Sequence, residues 1–83
     1  MIVRGRVQGV FFRDSVRRLA AQRGIAGSVR NRPDGSVEAV FEGAPEDVEQ
    51  LVEFCRTGPR GAGVESVEVA GEAPRGAHGF TVA

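Results

Sequence analysis

The chain has no lysine, tryptophan or tyrosine, and only one cysteine and one histidine. Without lysine there is no Schiff base and no lysine-based phosphate loop. Any anion site must therefore use arginine or backbone N–H groups. A lone Cys55 allows neither an intrachain disulfide nor a cysteine-based metal centre, which fits a reducing cytoplasm. No apolar run reaches the ~18 residues that a membrane helix needs. The start Met1-Ile2-Val3-Arg4 lacks the long apolar region of a signal peptide. Eleven basic residues, all arginine, balance eleven acids, so no global field draws the chain to nucleic acid or a membrane. Five phenylalanines without a basic face or an RNP-like string also argue against an RNA reader. The expectation is a cytoplasmic protein with no membrane or nucleic-acid partner.

Eighty-three residues with 41% apolar and 27% charged content predict one soluble globular domain spanning 1–83. A chain of this size buries only ~60% of its unfolded surface. No large exposed apolar stripe demands a partner, so a monomer is expected.

Residues 2–8 alternate as a strand, with Val3, Gly5 and Val7 on one face and Ile2, Arg4 and Arg6 on the other. Between Asp14 and Arg23 the period changes to that of an amphipathic helix. Val16, Leu19, Ala20 and Arg23 share a face there, and Gly24 is the stop. A second strand runs 27–31 with Val29 inward, and Arg32-Pro33-Asp34-Gly35 is a turn. Strand three, 36–42, turns Val37, Ala39 and Phe41 inward against Glu38, Val40 and Glu42. Residues 43–47 open a second helix, with Pro45 in its first turn and a stripe of Val48, Leu51, Val52 and Cys55 that Phe54 widens. A Gly/Pro-rich loop (58–63), a fourth strand (64–69), a turn (71–76) and a short last strand (78–82) follow.

The order β-α-β-β-α-β plus a short strand predicts an α+β sandwich of the ferredoxin-like kind. Two helices cover one face of a mostly antiparallel sheet. Strands one and two, joined by a helix, run parallel with strand three inserted between them. Both then end at one edge of the sheet, which brings the loop 8–13 together with Asn31.

That edge carries a broken local rule. Arg13 puts a cation at a helix start, where an anion is favoured by ~0.3–1 kcal/mol. Asp14 offsets part of this, and a bound phosphate would offset the rest. Such a mismatch points to function. If the turn from Gln8 through Gly9, Val10, Phe11 and Phe12 curls its N–H groups inward, it forms an oxyanion nest. Arg13 would add a bidentate cation, and Asn31, which does not titrate, could orient a water. These parts suit attack on a phosphorus whose leaving group needs no help, namely a carboxylate. Plainer readings stay open: Arg13 solvated, Asn31 a turn residue, and Gly9 closing a tight connection. Phe11 and Phe12 read more simply as core than as substrate contacts, with at least one pointing inward. His78 lacks a Ser, Cys or acid partner at recognisable spacing and reads as structural. Glu38 and Glu42 read as a solvated strand face.

Gly5-Arg6-Val7-Gln8-Gly9-Val10-Phe11-Phe12-Arg13 resembles the first signature of the acylphosphatase family, G-x-V-Q-G-V-x-F-R. Gly27-Ser28-Val29-Arg30-Asn31, with Asp34-Gly35-Ser36-Val37-Glu38, resembles the second, G-x-V-x-N-x-x-D-G-x-V-E. The resemblance covers essentially the whole chain. It implies that Arg13 and Asn31 are catalytic and that the backbone of Gln8, Gly9, Val10, Phe11 and Phe12 cradles the phosphate. It further implies hydrolysis of small acyl phosphates to carboxylate and inorganic phosphate, with no metal, no cofactor and no phosphoenzyme. A substrate phosphate oxygen would take the water's proton. Ser28 departs from the family, many of whose members carry a bulky aromatic there. The first strand is short, and Phe80-Thr81-Val82-Ala83 lacks the basic or aromatic ending of many relatives. Two rivals remain: a non-enzymatic binding module on the same fold, and a domain of a larger carbamoyl-transfer enzyme, against which the length of the chain counts.

Overall fold

The computed structural model describes residues 1–71 and 76–83. Its elements are β1 (Ile2–Arg6), α1 (Phe12–Gln22), β2 (Ala26–Asn31), β3 (Val37–Glu42), α2 (Pro45–Thr57), β4 (Gly63–Glu68) and β5 (Phe80–Val82). The sheet order is β4-β1-β3-β2-β5, and only the β2–β5 pair is parallel. Because β1 and β2 both run antiparallel to β3, they run parallel to each other and end at the same edge. The ferredoxin-like α+β arrangement expected from the element order is the one found. Of the expected turn at 71–76, residues 72–75 lie outside the described residues.

The core lies between helices and sheet. Val3, Val29, Val37 and Ala39 from the sheet meet Phe12, Val16 and Cys55 from the helices. A second cluster joins Ala20, Ile25 and Leu51. Each fully buried Val, Leu or Phe contributes ~1.5–3 kcal/mol. The period-2 and period-3.6 patterns predicted these inward faces because burial is what generates both.

Element ends differ from expectation where tertiary contacts intervene. Helix α1 starts at Phe12 rather than Asp14, since Phe12 is only 2% exposed and packs into the core from the first turn. Its end follows the expected stop: Gly24 is left-handed (φ 65), with its N–H donating to the Ala21 carbonyl and that of Ile25 to Ala20. Strand β1 ends at Arg6 rather than Gln8, after a register shift between Arg4 and Gly5. Such a bulge bends the strand just before the loop that leaves it.

Gly5 is required at that bulge twice over. Its φ is +127, and a Cβ there would collide with the Gly63 carbonyl oxygen and approach the Glu65 nitrogen to 2.8 Å. Gly5→Ala should therefore lower the free energy of unfolding by ~2–4 kcal/mol in a urea titration. A loss below ~0.5 kcal/mol would mean that β4 moves aside freely.

Candidate active site

Beyond β1 the chain crosses the sheet edge as an arc anchored at both feet. Val7 (1% exposed) and Phe12 are buried, and the Phe12 ring lies 6.5 Å from that of Phe54. Between them Gly9 (φ 74) and Phe11 (φ 60) are both left-handed. A Cβ at Gly9 would meet nothing, so glycine serves conformation there rather than space. Phe11 is the only non-glycine residue with positive φ among the described residues. Such a backbone costs on the order of 1–3 kcal/mol and persists only where the surroundings over-determine it.

Gln8 supplies part of that determination. Its Nε2 donates to the carbonyls of Arg32 (2.8 Å) and Ser36 (3.0 Å), tying the arc to the β2–β3 hairpin. The hairpin is braced in turn. Arg32 N donates to Ser36 O at 2.8 Å, and the Asp34 carboxylate accepts from both the backbone N–H and the hydroxyl of Ser36. The Ser36 hydroxyl bond first, then the Ser36 N–H and the Arg4 and Arg32 guanidiniums, hold the Asp34 carboxyl at about 2. The sequence reading used Gln8 only for its backbone. Polar residues between two buried neighbours are the signal that a side chain has specific partners.

The arc runs into the start of α1. There the N–H groups of Phe12, Arg13 and Asp14 donate to no backbone carbonyl among the described residues, the first to do so being Ser15, to Phe11. Asp14 does not neutralise Arg13. Its carboxylate pairs with Arg17 at 2.9 Å and Arg18 at 3.2 Å, and the Arg17 hydrogen bond keeps it ionised below its ordinary range. Arg13 has no Asp or Glu partner among the described residues and instead donates from Nη1 to the Ala83 backbone oxygen at 2.6 Å.

Arg13 and Asn31 meet, as the topology required, on one cavity of about 390 Å³. Val7, Gly9, Phe11 and Phe12 line it from the arc. Asp14, Arg17 and Val82 complete the wall. Asn31 is the last residue of β2, and its Oδ1 is buried with no hydrogen-bond partner. Of the loop residues expected to bind, Gly9, Phe11 and Phe12 line the cavity. Gln8 instead braces from behind, and Val10 packs against the core. Phe12 is core as expected; Phe11 is not, being 80% exposed, because its left-handed backbone swings the side chain outward. Sequence reasoning missed Val82, Arg17 and the Ala83 contact, for which no local pattern gives a signal.

Among the described residues no group of three His, Cys, Asp or Glu side chains could hold a metal. Burial pushes the Cys55 thiol up to about 12, which leaves it inert. His78 is exposed and lines no part of this cavity. Glu38 is paired with Arg30, and Glu42 accepts from the Ala77 N–H, so neither is a freely solvated acid.

The acylphosphatase family model matches residues 1–82. The chain is 59% identical over 81 residues to an acylphosphatase of Rubrobacter xylanophilus, covering 96% of this chain and 74% of that protein. It is 54% identical over 80 residues to one of Gloeobacter violaceus, covering 96% and 86%. The crystal structure of acylphosphatase from Bacillus subtilis superposes with a TM-score of 0.93 at 38% identity, covering 99% of this chain and 92% of that one.

Two outcomes follow from the brace. Gln8→Ala removes both bonds to the hairpin and should lower stability by ~1–3 kcal/mol while weakening inorganic phosphate binding in calorimetry. Unchanged affinity would mean that the arc holds its shape alone. Asp34, whose pKa is depressed when folded, contributes stability that is present above its ordinary pKa of 3.8 and lost as pH falls toward about 2. Asp34→Asn should therefore flatten the acid limb of the stability–pH curve between ~4 and ~2. Asp14 and Glu38, also depressed, leave a residual slope.

Proposed function

The chain belongs to the acylphosphatase family, and from that premise we propose that it hydrolyses the carboxyl–phosphate bond of small acyl phosphates, with Arg13 and Asn31 as the catalytic residues. The observation that carries the assignment of roles is the meeting of Arg13 with the buried, unpartnered Oδ1 of Asn31 on one cavity.

The phosphoryl group sits at the start of α1. Unspent N–H groups of the arc and first turn donate to its oxygens, and the Arg13 fork binds two of them. Hydrogen bonds to a charged group contribute ~1.5–3 kcal/mol each. Arg13 keeps donors for this role because its bond to the Ala83 carbonyl occupies only one position of the fork. Asn31 Oδ1 accepts one O–H of a water and so orients the water's lone pair toward phosphorus. The water oxygen forms the new P–O bond as the bond to the acyl oxygen breaks, and the electron pair leaves on the carboxylate. That anion is stable at neutral pH and needs no general acid. The water's proton passes to a phosphate oxygen, and inorganic phosphate departs. A protein base is unnecessary and poorly provided: the one acid on the cavity wall, Asp14, is committed to Arg17 and Arg18.

No step above calls on a metal or cofactor, so turnover should persist in EDTA. We also read the chain as a monomeric domain acting in a reducing cytoplasm. The free thiol of Cys55 fits the reducing setting, and among the described residues no helix is long and apolar enough to cross a membrane.

Asn31→Ala should lower kcat on benzoyl phosphate by ~10²–10³-fold and leave inorganic phosphate binding within ~twofold. Arg13→Ala should weaken phosphate binding at least ~tenfold as well as abolish measurable turnover. Full activity in Asn31→Ala would remove the water-orienting role.

A further inference from the structure

Phe11 breaks two local rules at once. A bulky residue in the left-handed region is a steric outlier where glycine or asparagine would sit without strain. At 80% exposure its ring contributes little to the core, so packing does not explain a phenylalanine there either. Among the described residues the other exposed large apolar side chains are Val82 (42%) and Val69 (56%). Val82 lies on the same cavity as Phe11; Val69 follows β4 and does not line it.

The two share a location as well as a character. Phe11 stands two residues before Arg13, and Val82 precedes Ala83, whose carbonyl holds the Arg13 guanidinium. Both therefore flank the group that faces the phosphoryl oxygens. Two charged residues that also line the cavity, Asp14 and Arg17, are paired with each other at 2.9 Å. The cavity also has more room than a phosphoryl group needs. Water-exposed apolar surface at a pocket mouth loses hydration when an apolar ligand covers it, and an aromatic ring gains further from offset stacking.

We infer that Phe11 and Val82 form an apolar lip that receives the acyl part of the substrate, so that aryl and branched-alkyl acyl phosphates are preferred over acetyl phosphate. The inference rests on the acyl phosphate hydrolysis proposed above and names the substrate class of that same site. Phe11 is here a specificity residue acting through its side chain, separate from its backbone's part in the arc.

The test compares kcat/KM for benzoyl phosphate and acetyl phosphate in the wild type, Phe11→Asn, Phe11→Leu and Val82→Thr. Asparagine tolerates the left-handed backbone better than phenylalanine and has nearly the shape of leucine, so the first two variants separate backbone relief from loss of apolar surface. The benzoyl-to-acetyl ratio should fall about tenfold in Phe11→Asn and about threefold in Val82→Thr, with Phe11→Leu nearer the wild type. An unchanged ratio in Phe11→Asn, whatever the common loss on both substrates, would overturn the inference. So would a fall in Phe11→Leu as deep as in Phe11→Asn. A wild type that hydrolyses neither substrate would overturn the reaction itself and the lip with it, a result distinct from hydrolysis without acyl preference.

Discussion

The bonds from Gln8 Nε2 to the carbonyls of Arg32 and Ser36 hold together two pieces of chain that the sheet does not. Strands β1 and β3 pair only through Ile2 and Val3, after which β1 bends away at the Gly5 bulge. Over the rest of β1, no ladder links the strand that feeds the arc to the hairpin that carries Asn31. The Gln8 amide supplies the link, helped by the exposed Arg4–Asp34 pair at 3.3 Å. An exposed ion pair contributes ~0–1 kcal/mol and is screened by salt, so it cannot fix geometry alone. A part-buried amide donating to two carbonyls that are themselves locked by the Asp34–Ser36 bonds can. The position of the arc relative to the hairpin that carries Asn31 is therefore fixed by a neutral side chain, in addition to the packing of α1 on β2.

Charge is distributed so that Arg13 remains available. Asp14 sits in the first turn, where the helix dipole favours it, yet its carboxylate is turned to Arg17 and Arg18. Arg13 would otherwise collapse onto that neighbouring acid, and a pre-formed ion pair would compete with any anionic ligand. The Ala83 backbone oxygen orients the guanidinium, and it makes β5, the shortest of the described strands, part of the site wall.

Much of this was legible before the structure. Alternation in residues 2–8 and 36–42 and the helical stripe at Val16 and Ala20 report burial, so they gave the inward faces of Val3, Val37 and Ala39. The parallel relation of β1 and β2 follows from a helical crossover, and it alone predicted that Arg13 and Asn31 would meet. What stayed hidden was set by contacts distant in sequence. Nothing local to Gln8 says that its amide reaches residues 32 and 36. Nothing in Ala83 says that its carbonyl meets Arg13. The two adjacent phenylalanines were indistinguishable by composition, and only the backbone turn at residue 11 sends one ring into the core and the other into solvent.

The local violations at this edge share a cause. Phe11 is strained, the first-turn N–H groups are unspent, Arg13 lacks an acid, and Asn31 Oδ1 is buried without a partner. The left-handed Phe11 backbone alone costs on the order of 1–3 kcal/mol in a domain whose net stability is only ~5–15 kcal/mol. The cost is met during folding, by the buried anchors Val7 and Phe12 and the Gln8 brace, so no reorganisation remains when substrate arrives. Pre-formed donors for a phosphoryl group have one drawback: they bind the ground-state substrate and the product phosphate nearly as well as the transition state, and uniform binding does not raise kcat. In the mechanism we propose, Asn31 resolves this through a contact with the attacking water, whose position matters only as the new P–O bond forms. On the proposed reading Arg13 serves both affinity and the charge that develops on the phosphoryl oxygens, while an uncharged amide at the end of β2 lowers a part of the barrier that binding alone cannot.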